Sequence, residues 1–461
     1  MKKKYFILFI VSFIFTFIYI WFKLGLFCDE IWNYGVAYNI ANGLVPYRDF
    51  NLLTGPLYPF CGSIFIKIFG HHLYSFDIFN SIVISIITLL CYYKFKKCAL
   101  IFYLILICYS FPNYNVFCLM LFIIILIFNE SNIEDKYKDF FIGLLVGLIF
   151  ITKQSIGICF FLVMIVFCSN RLKKFLSFLI PCLVMTIYLV FNGALFQYFD
   201  YCFLGMFDFG NKNSFYFYLP AFIVIVLFLM YKIYKSNFKN TSLLFVLAFQ
   251  SVSVPLFDNS HFMYALLACL FYLLMRFQEK IIFHYKYYLI MALSFFIFWV
   301  TDDISGYHFY KDSSSFMYGR AIFGSSSKLD DVVMKFKDYI SNINDSYEHL
   351  FIFTGEVSYA VKLDIQYPLS KFDMIMNGNM GYNGANRLID EISDICSIDS
   401  CLFFVDDGVI LKHSQLNTDI LNYVRDNYRK IDNIVVLNSN LNSINNSYKF
   451  SIYDNIGGYN E

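Results

Sequence analysis

Lys2-Lys3-Lys4 stands before an apolar run over 5–22, and runs of the same kind recur for the next 280 residues with lysine and arginine held to the short stretches between them. At about 1.5 Å per residue, roughly 20 apolar residues cross a bilayer as a helix. In hydrocarbon every backbone N–H and C=O must be bonded within its own segment or barrel, so a chain of this pattern can fold only as a set of packed helices. It is read as a polytopic α-helical membrane protein. Composition agrees: 59% of the 461 residues are hydrophobic and 15% charged, with a mean hydropathy of +0.59, outside the balance of a soluble domain. No small-residue cleavage site follows the first run, which is expected to stay as an uncleaved helix with its N-terminus in the cytoplasm.

Lysine and arginine in short loops mark the cytoplasmic side. The basic stations are Lys94, Lys96 and Lys97, the loop 130–139, Arg171 with Lys173 and Lys174, the stretch 232–239, and the stretch 276–286. With each placed inside, spans fall near 5–22, 73–93, 98–112, 115–129, 140–153, 155–170, 175–192, 218–234, 241–256, 261–277 and 286–301, about 11 transmembrane helices, and the C-terminus lies outside. The apolar segment 57–69 is too short for an ordinary span. Counting it would put Lys94, Lys96 and Lys97 outside, so it is expected as a re-entrant or juxtamembrane helix on the outer surface. Residues 1–301 then form a membrane domain with a first outer loop at 23–72. Residues 302–461, more polar, form a small extracytoplasmic α/β domain, with strands near 350–354, 401–405 and 434–437 and helices over 384–395 and 415–428.

Most of the 13 cysteines sit in apolar runs as small hydrophobes. No Cys/His spacing suggests a metal, and no cofactor is expected. Cys396 with Cys401, and Cys28 with Cys61, are each either a disulfide or two free thiols. A net charge of +1 offers no basic face to a nucleic acid. The richness in Phe (58) and Tyr (38), with Ile, Asn and Lys, fits an AT-rich bacterial genome.

On the outer side by this topology lie Asp29, Glu30, Arg48, Asp49, Lys153, Gln154, Asp258 and His261. Ionisable groups near membrane depth are costly unless they line a wet cavity or pair with one another. Each also has an ordinary reading: Asp29 and Glu30 as a solvated loop start, Arg48 and Asp49 as a local surface pair, Lys153 as a snorkelling hairpin tip, His261 as a structural histidine. Lys153 stands out because Ile151-Thr152-Lys153-Gln154-Ser155-Ile156-Gly157 interrupts an apolar helix pair on the side where the charge rule does not favour lysine.

Asp29-Glu30, then Gly43-Leu44-Val45-Pro46-Tyr47-Arg48-Asp49, Gly55-Pro56-Leu57, Thr152-Lys153-Gln154-Ser155 with Gly157, and Asp258 with His261 form an ordered series. That series resembles the glycosyltransferase C superfamily, which includes protein O-mannosyltransferases and the aminoarabinose transferase of lipid A. The resemblance covers roughly the first 300 residues. It implies a donor sugar on a polyprenyl phosphate, an envelope glycan, lipid or protein as acceptor, and Asp29 as the catalytic carboxylate.

The chemistry of these residues is consistent with that implication. An acceptor hydroxyl becomes a nucleophile when a positioned carboxylate takes its proton. A lipid phosphate leaves without a general acid, and cations stabilise the charge it gains. Base on one face of the sugar and leaving group on the other lead to inversion at the anomeric carbon. Asp29 is the expected base with Glu30 orienting it or the acceptor. Arg48, Lys153 and His261 are expected on the phosphate side, supported by Asp49, Gln154 and Asp258. Two alternatives use similar composition: a transporter or flippase of lipid-linked sugars, which would show paired halves with broken helices, and a polysaccharide polymerase, which would concentrate charge in a large mid-chain outer loop. The longest such loop here, 192–218, holds Asp200, Asp208 and Lys212.

Overall fold

The computed structural model describes residues 2–22, 28–71, 73–108, 113–206, 219–254, 259–305, 338–339, 341–342, 347–353, 380–382, 384–406, 418–436 and 448–455. Its helices are α1 (Lys2–Phe22), α2 (Cys28–Ala41), α3 (Leu57–Phe69), α4 (Leu73–Phe95), α5 (Ala99–Cys108), α6 (Tyr114–Asn129), α7 (Asp135–Phe150), α8 (Gln154–Phe167), α9 (Arg171–Phe191), α10 (Leu195–Phe199), α11 (Leu219–Lys235), α12 (Thr241–Phe249), α13 (Asn259–Phe283), α14 (Tyr285–Ser305), α15 (Gly384–Cys396) and α16 (Thr418–Asn427). Each expected span overlaps a helix, though the helices in 98–112 and 241–256 are shorter than the spans expected there. The chain divides into two units, the first made of Met1–Lys23, Thr54–Phe191 and Ser214–Tyr307, the second of Leu24–Leu53, Asn192–Asn213 and His308–Glu461.

The first unit is apolar outside and holds polar groups within. Large hydrophobic side chains such as Phe6, Leu172, Val184, Phe191 and Val224 face outward, while Asp77, Asn80, Ser81, Asn115 and Asp139 are buried. In water such a surface would be an aggregation hazard, whereas against lipid it is the stable one. Among the described residues Lys3–Ile20, Leu73–Cys108 and Arg171–Phe191 are long and apolar enough to cross a membrane. Hydrogen bonds tie the bundle where dispersion alone would let helices slide: Thr16 Oγ1 and Tyr103 OH lie 2.8 Å apart between α1 and α5. Helices α7 and α9 touch through Gly143 and Gly147, where an added Cβ would lie 2.1 Å from Ser177 Oγ and 2.5 Å from Pro181 Cγ. That spacing is the small-residue pattern that lets two membrane helices approach closely.

The expected helix over 57–69 is present as α3 with those bounds, between Pro56 and Gly70, whose φ of 95° ends it. The stretch before it departs from the loop expected at 23–72: 14 residues form α2. Asn33, Val36, Ala37 and Ile40 recur at helical spacing and are buried, which gives the segment a packed face that its interleaved asparagines and Gly35 conceal in sequence.

In the second unit the Gly43-to-Asp49 series is a local device. Gly43 takes a φ of 88° just after α2, a conformation glycine adopts without penalty. Tyr47, fully buried, takes a φ of 70° and sets its ring 5.1 Å from that of Tyr198. Asp49 accepts from Val45 N at 2.7 Å and holds Arg48 through two N–H bonds of 2.7 and 2.8 Å.

Also in the second unit, β1 (His349–Phe353), β2 (Cys401–Asp406), β3 (Arg429–Val436) and β4 (Tyr448–Asp454) form one sheet in the order β1-β2-β4-β3. β1 and β2 are parallel, and β4 is antiparallel to both its neighbours. Together with α15 and α16 this is the small α/β arrangement expected, with one strand, β4, that was not. Cys396 and Cys401 are bonded as a disulfide across a Cα separation of 5.7 Å, and Cys61 is a free thiol.

Asp200, expected only as a loop charge, is buried at the start of a π-helical turn after α10. It accepts from Arg387 Nη1 at 2.8 Å and from Tyr382 N at 3.1 Å. The Arg387 guanidinium also lies over the Tyr201 ring, whose hydroxyl burial pushes up to about 12. Asp200→Ala is expected to destabilise this unit by about 1–3 kcal/mol, the cost of stranding hydrogen-bond donors, read as faster limited proteolysis within 380–455.

Candidate functional site

Helix α7 ends in a tight turn in which Ile151, Thr152 and Lys153 donate backbone N–H bonds to Gly147 O, Ile149 O and Ile149 O. Lys153 then takes an extended backbone, φ −144° and ψ 108°, as the N-cap of α8, and its carbonyl accepts from Gly157 N at 3.0 Å. Gly157 lets α8 cross the end of α7, since a Cβ there would lie 2.3 Å from Phe150 Cα. The Thr-Lys-Gln-Ser-x-Gly stretch is therefore a hairpin tip whose glycine sets the crossing and whose geometry turns the lysine inward.

The lysine is 7% exposed. Its ammonium donates to Asn115 Oδ1 at 2.9 Å and Val252 O at 3.2 Å and lies 5.4 Å from the centre of the Tyr114 ring. Val252 belongs to the 3-10 turn Gln250–Ser253 that extends α12, so the cation sits at the negative end of a helix. Asn115 is held by Asn113, whose Oδ1 accepts from Asn115 N at 2.6 Å as the cap of α6. Two buried amide donors of this tip, Asn115 Nδ2, on the amide that accepts from the ammonium, and Gln154 Nε2, on the next residue in the chain, have no hydrogen-bond partner among the described residues. Buried donors are ordinarily satisfied, and a buried ammonium whose amide partner keeps an unsatisfied N–H is an arrangement suited to an anion.

Other sequence motifs meet at the same tip. Leu57 N donates to Ile151 O at 3.3 Å, and a Cβ on Gly55 would lie 2.1 Å from that oxygen. The Gly-Pro-Leu glycine is thus required for the segment leading into α3 to close on the Lys153 turn. Ser251 Oγ donates to Ser155 O at 3.4 Å and Ser253 Oγ to His261 O at 3.2 Å, which fastens the α12–α13 connection to the same place. His261 is buried there. Asp258 lies outside the described residues.

The remaining expected residues belong to the second unit. Asp29 and Glu30 fall in the first turn of α2, and their side chains lie outside the described residues. Arg48 and Asp49 form the exposed local ion pair described above, the ordinary reading of the two. Sequence reasoning missed Tyr114, Asn115 and Val252. Phe111-Pro112-Asn113-Tyr114-Asn115 is visibly polar between two apolar runs, a signal read only as a span boundary. For a metal, the fold brings Glu348, His349 and Asp399 together with ligand atoms within 4.8 Å of one another and His349 Nε2 2.9 Å from Asp399 Oδ2. The group is partly to fully exposed and belongs to the sheet unit, apart in sequence from every motif above.

No protein-family model matches the sequence, and no curated protein does. Two solved structures do resemble the fold: ArnT from Cupriavidus metallidurans bound to undecaprenyl phosphate, at a TM-score of 0.55 and 8% identity over 99% of both chains, and the apo form of the same protein, at 0.55 and 10% over 99% and 98%. At such identity what is shared is the fold, aligned over nearly the whole of each chain. The chain shares its fold with these two ArnT structures.

Proposed function

We propose that this chain is an integral-membrane glycosyltransferase that moves a sugar from a polyprenyl-phosphate donor to a hydroxyl of an envelope glycan, lipid or protein on the outer face of the cytoplasmic membrane. The observation that carries the reading is the buried Lys153 ammonium bonded to the Asn115 amide, whose own buried N–H donors are unsatisfied. It lies in a chain whose fold matches ArnT, a protein solved with undecaprenyl phosphate bound. A buried cation within a membrane bundle is expensive and marks a functional site. A phosphate is the anion it suits, since oxygens on several sides can accept from an ammonium and an amide at once.

In this mechanism Lys153, with His261 at the same tip, takes up the charge the phosphate gains as the glycosidic bond breaks. Arg48 contributes to the phosphate side more weakly, its guanidinium already engaged by Asp49. Asp29, oriented by Glu30, removes the acceptor proton from the opposite face of the sugar, so that the anomeric centre inverts.

The test is transfer from a radiolabelled polyprenyl-phosphate sugar to envelope acceptors in membranes carrying the chain. Lys153→Met, which keeps length and removes charge, is expected to lower kcat by about 10²–10³-fold, the usual effect of deleting one preorganised stabiliser of developing negative charge. Lys153→Arg is expected to keep part of the rate. Failure of the wild-type chain to transfer from any polyprenyl-phosphate sugar, or full activity in Lys153→Met, overturns the proposal.

A further inference from the structure

A second binding site lies at the opposite end of the first unit from the Lys153 tip in the expected topology. Between α1, α4, α5 and α14 the structure encloses a cleft of about 560 Å³, within the range of about 300–1,000 Å³ in which specific ligands bind. Its walls are built from side chains such as Val11, Phe15, Leu100 and Leu104. Three of its polar side chains are already engaged: Ser12 Oγ donates to Phe9 O, Thr88 Oγ1 to Ile84 O, and Tyr103 OH shares a hydrogen bond with Thr16. Such a cavity offers a ligand hydrocarbon contact and almost no hydrogen bonding, so its body fits an acyl chain.

Its mouth is different. Lys96 and Lys97, in the 3-10 turn Lys96–Cys98 that breaks α4 from α5, line the cleft. Lys4 reaches the same place from α1: its ammonium lies 5.2 Å from the centre of the Tyr92 ring and that of Lys96 lies 5.7 Å from it. Lys96 is held there by a backbone φ of 49°, an uncommon conformation for a side chain with a Cβ, and by its bond to Tyr93 O. Among the described residues no carboxylate pairs with Lys4, Lys96 or Lys97. The Lys4 and Lys96 ammoniums around one ring, with Lys97 lining the same cleft, call for an amphiphile with an anionic head. The charge rule puts this end at the cytoplasmic face, where the leaflet supplies anionic lipid and where basic pockets between membrane helices take lipid head groups.

We propose that this cleft binds one anionic glycerophospholipid of the cytoplasmic leaflet, its phosphate at Lys96 and Lys97 and an acyl chain along Val11 and Leu100. The site is separate from the one proposed for the donor lipid and does not depend on that reading.

The experiment is lipid retention on the delipidated full-length chain in detergent, read by native mass spectrometry with phosphatidylglycerol, phosphatidylcholine and undecaprenyl phosphate as probes. Phosphatidylglycerol is expected to bind at one per chain, more tightly than phosphatidylcholine. Lys96→Gln combined with Lys97→Gln is expected to weaken it roughly thirtyfold, about the effect of two interfacial cations, with phosphatidylcholine retention and transfer from the polyprenyl donor unchanged. Val11→Trp, which leaves all three lysines and fills the cleft, is expected to displace it as well. Equal retention of phosphatidylglycerol and phosphatidylcholine by the wild-type chain overturns the proposal. So does a double variant that keeps its phosphatidylglycerol, or one that loses undecaprenyl phosphate instead. A wild-type chain that binds phosphatidylglycerol at this site yet transfers no sugar leaves this proposal standing and defeats only the other.

Discussion

Asp29→Asn is expected to lower kcat for sugar transfer by about 10²–10⁴-fold, the range contributed by a positioned general base, with little change in the apparent affinity for the donor lipid. The expectation follows from where charge and protons must go. Breaking a glycosyl phosphate leaves an anion that needs cations and N–H donors, a task the proposed mechanism gives to the Lys153 tip. It needs no proton, so a carboxylate in the site has one task, taking the acceptor proton as the new bond forms. Asparagine matches the aspartate in shape and retains a carbonyl that accepts a hydrogen bond, but it does not take up a proton. The loss should therefore fall on kcat and leave binding in place. Asp29→Glu, which restores the base a bond length out of position, should recover part of the rate. Glu30→Gln should cost less than Asp29→Asn, because it removes only an orienting group. Undiminished transfer by Asp29→Asn with normal expression would falsify the assignment of the base, and equal losses in the two variants would move that role to the pair as a whole.

How far these features could be read from sequence depended on whether their cause was local. The bounds of α3 were legible because Pro56 and Gly70 punctuate it at either end. Lys153 was legible because a lysine in the middle of two apolar runs has few ordinary explanations. Its partners were not: Asn115 and Val252 stand 38 and 99 residues away, and nothing in a single chain marks which of many polar interruptions will meet. β1 and β2 were found as near-continuous apolar runs. β4 was missed because Lys449 and Ser451 break its run, although Ser451 is fully buried against Asn433 Oδ1 at 3.0 Å and the strand sits inside the sheet. Gly55 and Gly157 were recognised as motif letters, while their reason, two backbone approaches under 2.5 Å for an added Cβ, exists only in three dimensions. Asp139 and Lys174 were misread more fully. The positive-inside rule treats both as solvated charges of cytoplasmic loops, and it has no means of registering that the helices carrying them close on each other.

Asp139→Ala is expected to destabilise the membrane unit by about 3–5 kcal/mol, the penalty for leaving one partner of a buried ion pair alone. Asp139 lies one helical turn before Gly143 and two before Gly147 on the same face of α7. The glycines bring α9 so close that the carboxylate is sealed against it: Asp139 and Lys174 side chains are each 4% exposed. The carboxylate accepts from Lys174 Nζ on one oxygen and from Asn170 Nδ2 at 2.5 Å on the other, and Lys174 Nζ also donates to Ser169 O at 2.6 Å. With the aspartate gone, an ammonium remains at a depth where neither water nor an anion reaches it. Lys174→Met should cost a similar amount by stranding the carboxylate. Asp139→Leu combined with Lys174→Met removes both charges and fills the space with hydrocarbon, which is often neutral or stabilising for a buried pair. The double variant should therefore recover most of what either single variant loses. Thermal aggregation midpoints of the detergent-purified chain compare wild type, the two single variants and the double variant. An Asp139→Ala midpoint equal to wild type, or a double variant less stable than both singles, would show that the pair is solvated in the membrane after all and that the close α7–α9 contact does not bury it.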